Sequence, residues 1–445
     1  MVELTPVRAW HPNPATVDPN DVVCPVYDTL SDSDFALYTS RPFNAARFVP
    51  RPRGLELPAF LRLASGALTD ALGAGAYVQD DRPSYYIYGI RYVPPSDILE
   101  TLEPQDRRPE YLLLGLVGTM DFARLEHGQV ALHERTFSDR VAERAALTDA
   151  TGMSFAPILA GYHGRDHHLN DRLERILGIR RSHLSFEGTV APVAKANLGK
   201  TTHLLWRIDD AREVDEVRAE VRPLRLLVLD GHHRFTAAAQ RHYHGRPSAP
   251  LMMLVDGSVR ALQLLPWHRV LPSTVAPFEM LVEQARVDFS DVVEEGGEAT
   301  PERVIDLLHR MRRDHVRGFL MVSHRRLFEV RGPPSTDAGA DFDLLHGFLD
   351  DTLQIDPEVL QFVRSPRAAL ELADRADPAF PGGTAFLLPG LSARGVEERA
   401  FDRGEVMAQK STMFLPKVAE GMLFAPANGV GAGVPEDGGK DSASS

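Results

Sequence analysis

The chain has 445 residues, 43% of them hydrophobic and 25% charged, with a formal charge of -13. That length exceeds what a single hydrophobic core fills, so two domains are expected, and the acidic balance disfavours nucleic acid as a partner. The single cysteine, Cys24, excludes an intrachain disulfide and a multi-cysteine zinc site.

Cys24 as the sole cysteine fits a reducing, cytoplasmic location. No signal peptide opens the sequence, and no apolar run approaches the roughly 18 residues of a membrane span. In chain order, Val22 to Leu30 reads as a short strand and turn, and Glu56 to Leu72 as an amphipathic helix. Tyr85 to Tyr92 and Tyr111 to Asp121 read as strands, the second buried on both faces. A charged loop from His133 leads into a helix reaching Asp149, followed by a strand at Pro157 to Ala160. Asp171 to Leu177 is helical, Thr202 to Ile208 a strand, and Asp210 to Val221 a charged helix. Leu224 to Leu229 is the clearest strand of the chain, with a helix from Phe235 to Tyr243 behind it. Leu251 to Leu254 and Leu262 to Pro266 are further strands. Beyond a boundary near Leu271-Pro272 come a helix at Pro301 to Val316 and strands at Gly318 to Ser323 and Arg326 to Val330. Asp343 to Leu353 and Pro366 to Arg375 read as helices, and Gly383 to Leu388 as extended.

The fold class expected is mixed α/β (α+β). An N-terminal α/β domain covers residues 1–272, a smaller α/β domain covers 273–426, and a Gly-, Pro-, Ser- and acid-rich tail, 427–445, reads as disordered.

The chemistry concentrates at Asp230-Gly231-His232-His233-Arg234, between the clearest strand and the helix behind it. Gly231 permits a backbone conformation or a close ligand approach that a Cβ would hinder. The first amides of the helix have no intrahelical partner and, with the helix dipole, favour an anion. His232, His233 and Arg234 add donors, and Asp230 can cap the helix, hold a metal or accept a proton. The plainer alternative is a helix cap flanked by surface histidines.

The turn resembles domain-of-unknown-function family 1015, as do six further motifs in order. They are Pro25-Val26-Tyr27-Asp28, Gly115-Leu116-Val117-Gly118, His133-Glu134-Arg135-Thr136, Leu265-Pro266-Trp267-His268-Arg269-Val270-Leu271, Leu344-Leu345-His346 and Lys410-Ser411-Thr412-Met413-Phe414-Leu415-Pro416-Lys417. The resemblance implies a core similar to the ParB, sulfiredoxin and free serine kinase group, in which the equivalent turn binds nucleotide phosphates. His232 stands near the place of the sulfiredoxin cysteine, so sulfiredoxin chemistry is not expected. No DNA-reading helix of the ParB kind is evident.

Around His133, Glu134, Thr136, Asp139 and Arg144 two readings stand side by side. Glu134 is a general base or magnesium ligand with Arg144 a second phosphate contact, or the cluster is an ordinary solvated helix start. Lys410, Ser411, Thr412 and Lys417 either reach a ligand from the C-terminal region or form a charged surface loop. Leu198-Gly199-Lys200-Thr201-Thr202 lacks the upstream glycine of a phosphate-binding loop, Ala194 standing there, and reads as a β-turn. His163, Asp166, His167 and His168 match no metal-ligand spacing and read as a solvated loop.

The function expected is a small-molecule kinase or phosphoryl transferase. It would bind ATP or ADP with Mg²⁺ at the turn, use Asp230 or Glu134 as base, and act on free serine or a similar hydroxyl metabolite. The alternative is a non-catalytic nucleotide- or phosphometabolite-binding regulator. Neither a membrane nor nucleic acid is an expected partner, and the sequence gives no oligomeric state.

Overall fold

Long apolar runs with alternating side chains build the centre of the molecule. The computed structural model describes residues 2–163, 168–181, 186–335, 337, 339–375 and 382–429. Tyr85–Tyr92 and Tyr111–Met120 pair antiparallel along most of their length, Tyr86 opposite Val117 and Tyr92 opposite Tyr111. They lie inside a nine-stranded mixed sheet. Its order across is Ala194–Leu198, Thr201–Ile208, Tyr85–Tyr92, Tyr111–Met120, Leu251–Asp256, Ile158–Tyr162, Leu226–Asp230 and Val130–Leu132. Leu4–Thr5 joins the end of Tyr111–Met120. Two neighbouring pairs are parallel, Leu251–Asp256 with Ile158–Tyr162 and Leu226–Asp230 with Val130–Leu132.

Successive strand residues face opposite sides, so each face buries its own set. Tyr85, Ile87, Leu116 and Leu254 pack with Leu173 and Val217 from the helices His168–Leu177 and Ala211–Val221. Tyr86, Tyr88 and Val117 pack into a second cluster with Phe60, Ala64 and Leu68 of the helix Leu57–Gly73.

A six-stranded, wholly antiparallel sheet follows, ordered Asp291–Glu295, Arg326–Arg331, Gly318–Ser323, Gly383–Leu387, His268–Pro272 and Gln361–Val363. The helices Pro301–Arg313 and Pro366–Ala373 bury Val304, Leu308, Met311 and Ala369 against Val270 and Leu320. Both begin with a hydroxyl N-cap, Thr300 and Ser365, and a proline in the first turn, where the missing N–H costs nothing.

The molecule is mixed α/β, as its sequence implies. The second sheet already starts at His268, and the chain does not end in it. Thr412–Leu415 pairs with Gln263–Pro266. Phe424–Pro426 then joins Trp10–Pro12 and Met153–Phe155 in a four-stranded sheet with Tyr77–Gln79. One hydrophobic cluster accordingly holds Tyr86 and Met253 of the first sheet together with Phe319 and Phe386 of the second.

Several local expectations change. The strand read at Val22 to Leu30 is absent: Asp18 caps a short helix, Pro19–Val22, and a 3-10 turn spans Tyr27–Thr29. Pro25 has no N–H to give a ladder, which leaves only an isolated bridge between Cys24 and Glu420. Cys24 is buried, and burial pushes its thiol pKa well up, away from nucleophilic use. Leu198 to Thr201 forms the expected tight turn between paired strands. Of the four residues around His163, Asp166 and His167 lie outside the described residues, and His163 pairs with Glu397 at 2.6 Å. The tail expected from Ala427 begins later, since Ala427 is buried and hydrogen-bonded to Gly152 and Ala249; residues 430–445 lie outside those described. Among the described residues no helix is long and apolar enough to cross a membrane.

Gly118, from the glycine-rich motif, serves close strand approach. A Cβ there would stand 2.8 Å from the Thr5 carbonyl oxygen and 2.9 Å from Leu4 Cγ. Gly118→Ala is expected to lower unfolding free energy by about 1–3 kcal/mol through this overpacking, read as a lower denaturant midpoint with unchanged slope.

Candidate functional site

The strand Leu226–Asp230 ends at Gly231, which adopts φ +89° and is the N-cap of the helix His232–Tyr243. No side chain caps this helix. The amides of its first turn therefore stay available at the positive end of the dipole. They open on a cleft of about 790 Å³, measured to its mouth. Asp230, Gly231, His232, His233, Arg234, Glu134, Lys410, Thr412 and Lys417 all line it.

The C-terminal segment supplies the polar lining residues Gln409, Lys410, Thr412 and Lys417. Met407 bridges to Glu134, its N–H donating to the His133 carbonyl at 2.8 Å. Glu134 Oε1 accepts from the Thr412 backbone N–H at 2.7 Å and from its hydroxyl at 2.6 Å. Glu134 lines the cleft with its side chain 14% exposed, and Oε2 is the oxygen that Thr412 does not engage. Lys417 Nζ sits 2.5 Å from Asp230 Oδ1, and Asp230 Oδ2 lies 3.8 Å from Arg234 Nη2. Burial alone would raise the Asp230 pKa, but the charges of Lys417 and Arg234 outweigh it and hold the carboxyl below its ordinary value.

His133 is fully buried beneath this surface. Nδ1 lies 2.8 Å from the Val228 carbonyl oxygen and Nε2 2.7 Å from the Thr412 hydroxyl. Burial lowers its pKa, which favours a neutral ring. The three contacts Val228–His133, His133–Thr412 and Thr412–Glu134 require three protons between their heavy atoms. A neutral imidazole and a threonine hydroxyl supply two. The chain behind Glu134 is one proton short.

The tautomers of the other histidines follow from their partners. His233 Nε2 accepts from the Phe137 N–H at 3.1 Å, so a neutral ring carries its proton on Nδ1. His232 Nε2 lies 3.3 Å from His133 Nδ1, whose proton serves Val228, so neutral His232 likewise holds its proton on Nδ1. Burial lowers the pKa of both rings. The cleft thus receives two uncharged donors.

Besides the buried His133, four residues expected at a ligand are engaged with the protein or lie outside the lining. Arg234 Nη1 donates to the carbonyls of Phe155, Ala156 and Pro157 at 3.3, 2.5 and 3.3 Å, so its guanidinium fastens the turn to the neighbouring strand connection. Arg144 lies on the helix Ser138–Thr151, donates to the Val49 carbonyl and Glu143, and does not line the cleft. Ser411 is buried, its hydroxyl spent on the Ala408 carbonyl. Thr136 also lies outside the cleft lining.

Residue-by-residue reasoning passes over Tyr27, Phe137, Trp267, Gln409 and Phe414, which complete the walls. Lys410 Nζ stands 5.0 Å from the Trp267 ring centre, a cation–π contact at the rim. Beneath them Arg269, fully buried, donates to the carbonyls of Trp267 at 2.5 Å and Lys410 at 3.3 Å, and to His346 Nε2 at 3.0 Å. His346 Nδ1–H in turn donates to Asp350 Oδ2 at 3.1 Å. Burial pushes the Arg269 pKa down to about 10, so it stays a cation at neutral pH. The tryptophan-containing motif and Leu344-Leu345-His346 meet at this residue.

Six of the seven motifs thus converge on one cleft or its support. A family model described as a protein of unknown function, DUF1015, matches residues 4–350. The chain belongs to this family. No curated protein matches the sequence. Among solved structures, a free serine kinase in complex with AMP is similar at 13% identity and a TM-score of 0.37, covering 65% of this chain and 86% of its own. A conserved hypothetical protein from Pyrococcus furiosus gives 12% and 0.35, with coverage of 66% and 93%. SbnI from Staphylococcus aureus gives 11% and 0.33, with coverage of 67% and 82%.

Two substitutions test how the turn is anchored. Arg234→Met is expected to cost about 1.5–3 kcal/mol of stability, through lost charge-assisted bonds and unpaired carbonyls, read by denaturant unfolding. Asp230 has a depressed folded pKa, so its stabilisation is present above its unfolded value near 3.9 and is lost as pH falls below it. Asp230→Asn should be the less stable form at pH 7, and the gap in unfolding free energy should close below about pH 4.

Proposed function

We propose that the protein is a small-molecule kinase that transfers the γ-phosphoryl group of a nucleoside triphosphate to a hydroxyl acceptor in this cleft. The observation that carries the reading is Glu134. It lines the cleft, one of its oxygens is fixed by Thr412 and the other is not, and the hydrogen-bond chain behind it lacks one proton.

Phosphoryl transfer asks for positioning and charge neutralisation more than covalent help from the protein. The uncapped amides after Gly231 and the cation of Lys410 suit the triphosphate, and the Nδ1–H groups of His232 and His233 add uncharged donors. Glu134 Oε2 takes the proton of the acceptor hydroxyl as its oxygen bonds to the γ-phosphorus. The bond from that phosphorus to the β–γ bridging oxygen breaks, and the nucleoside diphosphate leaves. The Thr412 backbone N–H holds Oε1 throughout, so Oε2 stays turned away from that bond and toward the acceptor as it gains the proton. Asp230, held ionised by Lys417 and Arg234, fixes the turn.

Among the described residues there is no group of three or more His, Cys, Asp or Glu side chains arranged for a metal. Mg²⁺ would therefore arrive on the nucleotide, held mainly by phosphate oxygens, with Asp230 Oδ2 as the carboxylate beside it. Its chemistry there is neutralisation of phosphate charge. The cleft also suits a small acceptor, and free serine belongs in the first panel tested.

The test is incubation of the purified protein with ATP, Mg²⁺ and a panel of hydroxyl metabolites including L-serine, with phosphorylated product read by ³¹P NMR. Glu134→Gln is expected to lower turnover by about 10²–10⁴-fold while nucleotide affinity is retained. Lys410→Met should weaken nucleotide binding and leave the bound complex competent. Nucleotide binding with no product from any acceptor would replace the kinase reading with that of a nucleotide-responsive regulator.

A further inference from the structure

Besides its histidines, the cleft has Tyr27, Phe137, Trp267 and Phe414 as aromatic side chains in its walls. Three of these rings are already engaged. The Arg144 guanidinium sits 4.8 Å from the ring centre of Tyr27, and Lys410 Nζ 5.0 Å from that of Trp267. Phe414 is buried, its ring edge-on to His133 with centres 5.7 Å apart. Phe137 differs. It is 45% exposed, and among the described residues the one other aromatic side chain so exposed is Tyr243, at the far end of the motif helix. An apolar ring standing in water at the mouth of a polar cleft forgoes a burial that a ligand can supply.

The placement of Phe137 follows from its neighbours on both sides. It is the N-cap of the helix Ser138–Thr151, with φ −81° and ψ 130°, a conformation open to any L-residue. Its N–H donates to His233 Nε2 at 3.1 Å. The two rings lie parallel, 4° between planes, with centres 6.0 Å apart. Parallel rings at that separation overlap little, so His233 steadies Phe137 without covering it. The ring is thus held in place and left open, beside the second residue after Gly231 and the uncapped amides of the turn.

We propose that Phe137 is the platform on which the base of the nucleotide stacks. The inference rests on the nucleotide reading of the cleft and adds to it the place of the base. The phosphate end is drawn to the amides after Gly231 and to Lys410, and the base lies over the open face of Phe137. Every nucleobase presents a flat π face, and stacking reads that face and not the edge. The platform therefore supplies affinity with little choice between adenine and guanine nucleotides.

The experiment uses the full chain and titration calorimetry, with ADP, GDP and inorganic tripolyphosphate as probes. Phe137→Ala keeps the backbone N–H to His233 and removes the ring, whereas Phe137→Trp supplies a larger one; circular dichroism checks the fold of both. ADP and GDP are expected to bind Phe137→Ala about fivefold or more weakly than wild type, and Phe137→Trp at least as tightly as wild type. Tripolyphosphate affinity should be the same in all three. The emission gained in Phe137→Trp, measured against wild type, should fall on adding ADP and stay level on adding tripolyphosphate. Unchanged ADP affinity in Phe137→Ala overturns the platform and leaves nucleotide binding standing. An equal loss of tripolyphosphate affinity also overturns it, because the ring then acts only by steadying His233. Absence of ADP and GDP binding to the wild-type chain is a different failure, in which the nucleotide reading falls and takes the platform with it.

Discussion

The candidate site depends on the return of one chain segment. Residues 407–417 cross from the second sheet to the first and lay Thr412 between His133 and Glu134, and Lys417 against Asp230. Neither half of the site is electrostatically complete alone. Asp230 and Lys417 are each less than one-fifth exposed, and losing one partner of such a pair costs about 3–5 kcal/mol because the other charge stays buried. The same contacts thus hold the two parts of the molecule together and set the protonation of the cleft.

Charge and neutrality are divided with some economy. Two of the cations lining the cleft, Lys410 and Lys417, come from the returning segment, whereas Arg135 follows Glu134 and the motif helix contributes Arg234, amides and imidazoles. Two arginines serve as scaffolding. Arg234 gathers three carbonyls, and Arg269 gathers two more with His346. A planar fork of five donors suits this task better than an ammonium group does, which explains why residues that look like phosphate ligands in sequence act as braces in the fold.

Much of this was legible in the sequence, for identifiable reasons. The strand–glycine–helix reading of residues 226–243 rests on local chemistry, and local chemistry decides it: Gly231 takes the left-handed conformation an L-residue avoids. The ordered motifs located the convergence of His133, Glu134, Asp230 and Lys417. Direction was not legible. Whether Arg144 or Arg234 points to a ligand or to a carbonyl depends on neighbours distant in sequence, such as Val49 and Ala156. Ser411 looked equivalent to Thr412, yet strand alternation turns one to the Ala408 carbonyl and the other to Glu134. The strand expected near Cys24 fails for a similar reason: the apolar run is visible, but its partner Glu420 lies almost 400 positions on and meets it in a single bridge.

The wide sequence separation of these contacts has a consequence for biogenesis. Thr412 meets Glu134 across 278 positions, and Lys417 meets Asp230 across 187. Contacts of such high order form late, after the loop-closure entropy of the intervening chain has been met. On the ribosome, both sheets can be synthesised and largely folded before the closing segment emerges. A nascent chain therefore exposes an unfinished cleft until residues 407–417 have emerged, and competence arrives in one step with them.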